Sequence, residues 1–214
     1  HAFFAQPEGW TIDEDRFPLV PMTGILAMLA DAAVALVPGH VAVALEDIRA
    51  FQWLAVAPPT EITIRAAVDP EADGPGVVVR TSIDRHARAT VRLLPAYEPA
   101  PDPVAQPLTG EVPLPCTPER LYADGHLFHG PEYQGVLTFD ESGADGIRGR
   151  LVSRPAPGAL LDNAGQLFGF WVANAVDKDR LVLPTSIDRI SFWGPHPEPG
   201  VELDCVVNVT ELGE

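Results

Sequence analysis

The sequence predicts an α+β fold in which two antiparallel sheets each wrap a long buried helix. Three observations predict it. Two long, almost uncharged segments, "MTGILAMLADAAVALV" and "ALLDNAGQLFGFWVANAV", have helical length and composition. Each is flanked by short alternating runs rich in Val, Ile and Thr, the pattern of half-buried strands. The same order of elements occurs twice, with "EDIRAF" and "IDRISF" at corresponding places, so the chain carries an internal repeat.

The elements follow in order. Pro21 opens the first helix and Pro38-Gly39 ends it. "VALEDIRAFQWLAV", a Pro-Pro break and "TEITIRAAV" come next, and "GVVVRTSID" with "HARATVRLL" complete the first sheet. Residues 95–118, "PAYEPAPDPVAQPLTGEVPLPCTP", hold eight prolines in 24 positions. Proline lacks the amide hydrogen and fixes φ, so this stretch is extended linker between an N-terminal half, 1–94, and a C-terminal half, 119–214. "GVLTFDES" and "GIRGRLVS", joined around Ala144-Asp145, begin the second sheet. "PAPG" leads into the second helix, and "PTSIDRISFW" and "VELDCVVNV" follow it. Both helices are apolar on nearly all sides, which predicts burial all round. A buried helix in a sheet, twice over, is a double hotdog.

Composition narrows the function. The chain has 214 residues, 46% of them hydrophobic, and a net charge of −16. An acidic surface repels phosphate, which argues against nucleic acid and anionic membranes as partners. No run of 18 apolar residues occurs and the start has no signal-peptide pattern. Cys116 and Cys205 are far apart with no CxxC, which fits a reducing cytoplasm better than a disulfide framework or zinc ribbon.

Chemistry is concentrated in "PAPGALLDNAGQLFGFW", whose one charged group is Asp162. Asp162, Gln166, Gly169 and Ala173 fall on one helical stripe, polar at its start and small afterwards. Leu160, Leu161, Leu167, Phe168, Trp171 and Val172 occupy the other faces. A carboxylate in apolar surroundings is harder to ionise, which suits a general acid. The plainer reading is an acid that complements the helix dipole or caps the first turn. Asp31, in the middle of the first helix, reads as structural, at a solvated edge or paired with Arg49.

The histidines divide by context. His40 follows Pro-Gly in a turn, His86 lies in a charged hairpin, and His196 sits between prolines. His126 and His129, in "HLFHG", have a spacing open to metal binding, with Asp124 the only nearby third ligand. In "FHGPEYQGV" the Gly130-Pro131 turn leads into a strand or forms a rim that brings His129 and Tyr133 over a pocket. His1 opens the sequence, a place usually read as a frayed end or tag remnant.

Taken together, these segments resemble the dehydratase domains of polyketide synthases, over nearly the whole chain. "GALLDNAGQLFGFW" is similar to their helix in which "LLD" is followed, after three residues, by Gln or His. "LYADGHLFHGPEYQGV" resembles their Tyr-Gly-Pro region, with His129 where Tyr is usual. "LVLPTSIDRISFW" and "VPMTGILAMLADAAVALVPG" resemble the strand and first helix of the same domains. The resemblance implies elimination of water from a 3-hydroxyacyl thioester carried on an acyl carrier protein. A His of the first hotdog acts as base and an Asp of the second as acid.

Carried over, Asp162 is the acid and Gln166 its neighbour on the same helix face. The base is His1, the one histidine before the first helix, although the family's His-x3-Gly-x4-Pro is here His1-x7-Gly9-x11-Pro21. That lengthening admits a catalytically degenerate hotdog kept as a scaffold or acyl holder. The same two-residue site also serves double-bond isomerases and cyclases. Pro21, Gly24, His129, Gly130, Pro131 and Tyr133 are the implied substrate contacts, backbone N–H groups of the first helix facing the thioester oxygen. No metal or redox cofactor is implied; the acyl group rides on phosphopantetheine. The implied partners are the acyl carrier protein and neighbouring synthase domains, with a homodimer also open. Lys178, Arg180 and Arg189 are candidate carrier contacts or ordinary solvated surface. The chain reads as an excerpt of a longer domain in a multidomain enzyme.

Overall fold

The structure is a computed structural model and describes residues 19–211 apart from 57, 103–105, 125, 128 and 177–183. His1, Gly9, Lys178 and Arg180 therefore lie outside the described residues. The chain divides into two compact units. Each is a hotdog, a long helix packed on an antiparallel sheet.

The first unit spans Pro18–Asp102 and Pro184–His196. Its elements are β1 (Leu19–Val20), α1 (Met22–Leu36), β2 (Val41–Ala50), β3 (Leu54–Ala55), β4 (Ile64–Val68), β5 (Val77–Ile83) and β6 (Ala87–Leu94). The second unit contributes α2 (Pro118–Ala123), a 3-10 turn (Pro131–Tyr133), β7 (Glu141–Gly143), β8 (Gly146–Val152) and α3 (Ala159–Ala175). The chain then returns to the first unit for β9 (Ser186–Ser191) and ends in the second with β10 (Glu202–Asn208).

The five-stranded sheet has the order β4-β5-β6-β2-β9, all neighbours antiparallel. Its register puts Val79 opposite Val91 and Leu45 opposite Val91 and Ile190, so the buried Leu45, Val79 and Val91 share one face with the half-buried Ile190. α1 packs against β2, β4, β5 and β6 through Gly24, Ile25, Leu26, Leu29 and Ala33. Ile25 N–H bonds Pro21 C=O at 3.1 Å, and Gly39 at φ 81° turns the chain after the helix.

Burial of α1 is one-sided. Asp31, Ala35 and Leu36 are exposed, so uniform apolarity overstated its enclosure. An alanine-rich helix is apolar without needing to be covered, because alanine buries little area. Asp31 stands at the solvated edge, while Arg49 pairs with Asp47 at 3.4 Å and with Asp188 at 3.7 Å.

β9 departs from the sequence reading. The sequence order puts "PTSIDRISFW" in the C-terminal half, 119–214, yet its strand pairs with β2, with Ile48 opposite Ile187 and Glu46 opposite Arg189. The two equivalent pieces of the repeat thus lie side by side. Glu46 binds both Arg189 and Arg92, the latter at 3.2 Å. Arg189, although more than half exposed, is engaged by Glu46 within the sheet.

The second unit's sheet runs β10-β8-β7. Leu203 faces Leu151 and Val207 faces Ile147. α3 lays Leu167, Phe170 and Trp171 into the core formed with Ile147, Leu151, Leu121 and Val136. Phe139 stacks on Phe170 at 4.9 Å, and the Trp171 indole donates to Gly143 C=O at 2.8 Å. Before α2, the described residues of the proline-rich stretch form no helix or strand. Part of it is nonetheless tied to the β7–β8 turn, where Thr109 N–H bonds Asp145 Oδ1 at 2.8 Å.

Candidate functional site

The site grows from the start of α3. Gly158, at φ 76°, is the helix's N-cap residue and offers no side chain to cap it. Asp162 occupies the first turn, where its N–H makes the opening helical bond to Gly158 C=O at 2.9 Å. The carboxylate is turned into the unit, only 12% exposed, and lies beside two nitrogens. Gln166 Nε2 is 2.7 Å from Oδ2 and His129 Nε2 is 3.3 Å from the same oxygen. Asp162 thus stands in the first turn, as both readings of it require, with its carboxylate engaged by Gln166 and His129.

Gln166 sits one turn further along the same face, as the i+4 spacing requires, and is buried. Its Nε2 also donates to Tyr133 C=O at 2.9 Å, and its Oε1 accepts from the Tyr122 hydroxyl at 2.8 Å. Tyr122, on α2, in turn receives Val136 N–H at 3.4 Å. Burial pushes the Tyr122 phenol up to about 12, because the phenolate would lose its hydration.

His129 enters from the loop before the 3-10 turn. Burial lowers its imidazole below the ordinary histidine value, and the nearby Asp162 charge opposes that shift without overcoming it. Gln134 Nε2 donates to His129 C=O at 2.9 Å and Arg154 Nε to Gln134 C=O at 2.8 Å, which hold the loop. Gly130 and Pro131 form the 3-10 turn, with Tyr133 N–H on Gly130 C=O at 2.9 Å. The Tyr133 hydroxyl donates to Pro157 C=O at 2.9 Å, and its backbone oxygen accepts from Gln166 Nε2. Burial raises this phenol too.

Four residues expected from the sequence, Asp162, Gln166, His129 and Tyr133, are thus brought together within one unit. Pro21 and Gly24 belong to the other unit, where Pro21 precedes the first turn of α1 and Gly24 is buried. Two members were not foreseen. Tyr122 lies in the "LYADG" stretch with no periodic signal to mark it. Asn163 is fully buried, and its Oδ1 accepts Gly135 N–H at 3.0 Å. A polar residue inside an apolar helix was the available sign of Asn163.

The metal reading of "HLFHG" does not fit this geometry. His126 stands edge-on to Phe170 at 5.9 Å, and Asp124 pairs with Arg120 at 2.7 Å. Among the described residues no three His, Cys, Asp or Glu side chains group as metal ligands. Among the same residues no helix is long and apolar enough to cross a membrane.

Known proteins give a consistent picture. Solved structures match over most of the chain: an inactive mutant of the CurK dehydratase (TM-score 0.65, 19% identity, 92% of this chain and 74% of that one) is one. The dehydratase domain from the CurF module of curacin polyketide synthase is another (TM-score 0.62, 18% identity, 93% and 76%). That from the CurH module also matches (TM-score 0.55, 21% identity, 94% and 74%). At such identities the likeness is one of fold. No curated protein matches the sequence significantly. The model of the family described as "Polyketide synthase dehydratase N-terminal domain" matches residues 100–213, more than half of the chain. The chain therefore belongs to the polyketide synthase dehydratase family.

Proposed function

We propose that this domain eliminates water from a 3-hydroxyacyl thioester carried on the phosphopantetheine of an acyl carrier protein, giving the 2-enoyl thioester. The observation that carries this reading is the inward Asp162 carboxyl, held by Gln166 at the start of an otherwise apolar helix. A base takes the proton from C2, next to the thioester carbonyl, and the electron pair forms the C2–C3 double bond. The C3–O bond breaks as the hydroxyl receives the Asp162 proton and leaves as water. Hydroxide leaves poorly, so the acid must deliver a proton during bond cleavage. His1 is the base in this reading, with backbone N–H groups at the start of α1, near Pro21 and Gly24, receiving the developing charge on the carbonyl oxygen.

Acid and base account for the whole reaction, so the proposal calls for no metal or redox cofactor. A carrier protein tethered in the same synthase would reach the site by effective concentration, which matters because the domain itself is strongly acidic. Both cysteines are free thiols, which fits a cytoplasmic synthase. Among the described residues a Cβ at Gly169 would meet no atom within 4 Å.

The test is incubation with a 3-hydroxyacyl thioester, with loss of water followed by mass spectrometry for the parent, Asp162→Asn and His1→Ala. Loss of water in the parent and in neither variant supports both assignments. A fully active variant removes that residue from its role. A folded but inert parent points to the scaffold, and an isomerised product to the isomerase.

A further inference from the structure

Two nitrogens converge on a single oxygen of the acid, Asp162 Oδ2. The orientation of the Gln166 amide is fixed by groups with no choice of role. Tyr133 C=O can only accept, so the nitrogen edge of the amide must face it. At the other edge, Tyr122 receives Val136 N–H and so passes its own proton to Gln166 Oε1. The chain Val136, Tyr122, Gln166 therefore has one polarity, and it ends by donating into Oδ2 at 2.7 Å. In a carboxylic acid the carbonyl oxygen accepts better than the hydroxyl oxygen. Oδ2, already accepting, is thus the carbonyl-type oxygen whenever Asp162 holds its proton.

His129 Nε2 faces that same oxygen at 3.3 Å. A nitrogen placed against an accepting oxygen is stable there only as a donor. We propose that His129 is a positioning residue that carries its proton on Nε2 and donates it to Asp162 Oδ2, so that the proton passed to the leaving hydroxyl sits on Oδ1. Burial of the ring, which disfavours imidazolium, is consistent with a single ring proton. The opposite tautomer, protonated on Nδ1, would accept the acid's own proton at Nε2 and hold it away from substrate. The inference rests on Asp162 as the acid, but its first test does not need turnover.

Nitrogen-15 NMR of the 214-residue chain at neutral pH, with the His129 signals assigned by their loss in His129→Gln, reads the tautomer directly. The Nε2–H form is expected; the Nδ1–H form or imidazolium overturns the proposal. Kinetics give a second readout in a chain that turns over. The amide nitrogen of His129→Gln can take the place of Nε2–H, so kcat should stay within about threefold of the parent, whereas His129→Leu should lose roughly 30-fold in kcat with KM nearly unchanged. Equal loss in both variants, or no loss in either, overturns the positioning role. An inert parent with the Nε2–H form present would instead count against the dehydratase reading alone.

Discussion

Gln166 Nε2 lies 2.7 Å from Asp162 Oδ2, one helical turn away, and the same amide is bound by Tyr122 and by Tyr133 C=O. Every polar edge of this buried side chain is therefore spoken for. Gln166→Leu keeps most of the volume and removes all three bonds. We expect a loss of about 2 kcal/mol in stability, since buried partners are left unsatisfied, and a fall in kcat of roughly 10- to 100-fold. Urea denaturation and thioester turnover measure the two effects; unchanged turnover would show that Gln166 does not orient the acid.

The buried imidazole gives the fold a pH dependence. His129 titrates lower in the folded chain than in the unfolded one, so the unfolded state binds the extra proton first as pH falls. Its contribution to stability is complete above the unfolded value of about 6.5 and is lost progressively as pH drops below it. His129→Gln should flatten this part of the stability curve between about pH 7 and 5. Denaturant midpoints across that range test it, and parallel curves for parent and variant would contradict it.

Tyr122 acts at the alkaline end with the sign reversed. Its phenol is raised from 10.0 to about 12, so between those values the unfolded chain gives up a proton that the folded chain keeps. Stability should fall with rising pH across this window. Tyr122→Phe should lessen the slope while lowering stability at neutral pH by about 1–2 kcal/mol, through the hydrogen bonds lost to Gln166 and Val136. Ultraviolet titration of phenolate absorbance, parent against variant, checks the assignment.

Two glycines predict opposite outcomes. At Gly135 a Cβ would overlap Asn163 Nδ2 and stand 2.7 Å from Val152 C=O, so the chain can pass α3 this closely only without a side chain. Gly135→Ala should destabilise by about 2 kcal/mol or more and disturb Asp162 through its neighbour Asn163. At Gly165, exposed in the middle of α3, a Cβ meets nothing among the described residues within 4 Å. Gly165→Ala should stabilise by about 0.5–1 kcal/mol, the helix-propensity gain. Thermal melts of both variants decide; two changes of the same sign would contradict this account of the packing.

The sequence by itself determined the elements and part of the chemistry. Apolar helices after Pro21 and Gly158, and alternating strands such as "GVVVRTSID", declare themselves because 3.6-residue and two-residue periodicities are local properties. The i+4 relation of Asp162 and Gln166 is local in the same way, and so is the repeat of "EDIRAF" in "IDRISF". Only the tertiary structure decided where β9 goes. A strand's hydrogen bonds run sideways to a neighbour that its own sequence does not name, and here the neighbour is β2. It also decided that His129 meets Asp162 across 33 positions of sequence, that Tyr122 braces Gln166, and that the Tyr133 hydroxyl bonds Pro157 C=O. A hydrogen bond between distant side chains depends on backbone paths through α2, the 3-10 turn and α3, and no periodicity encodes that meeting.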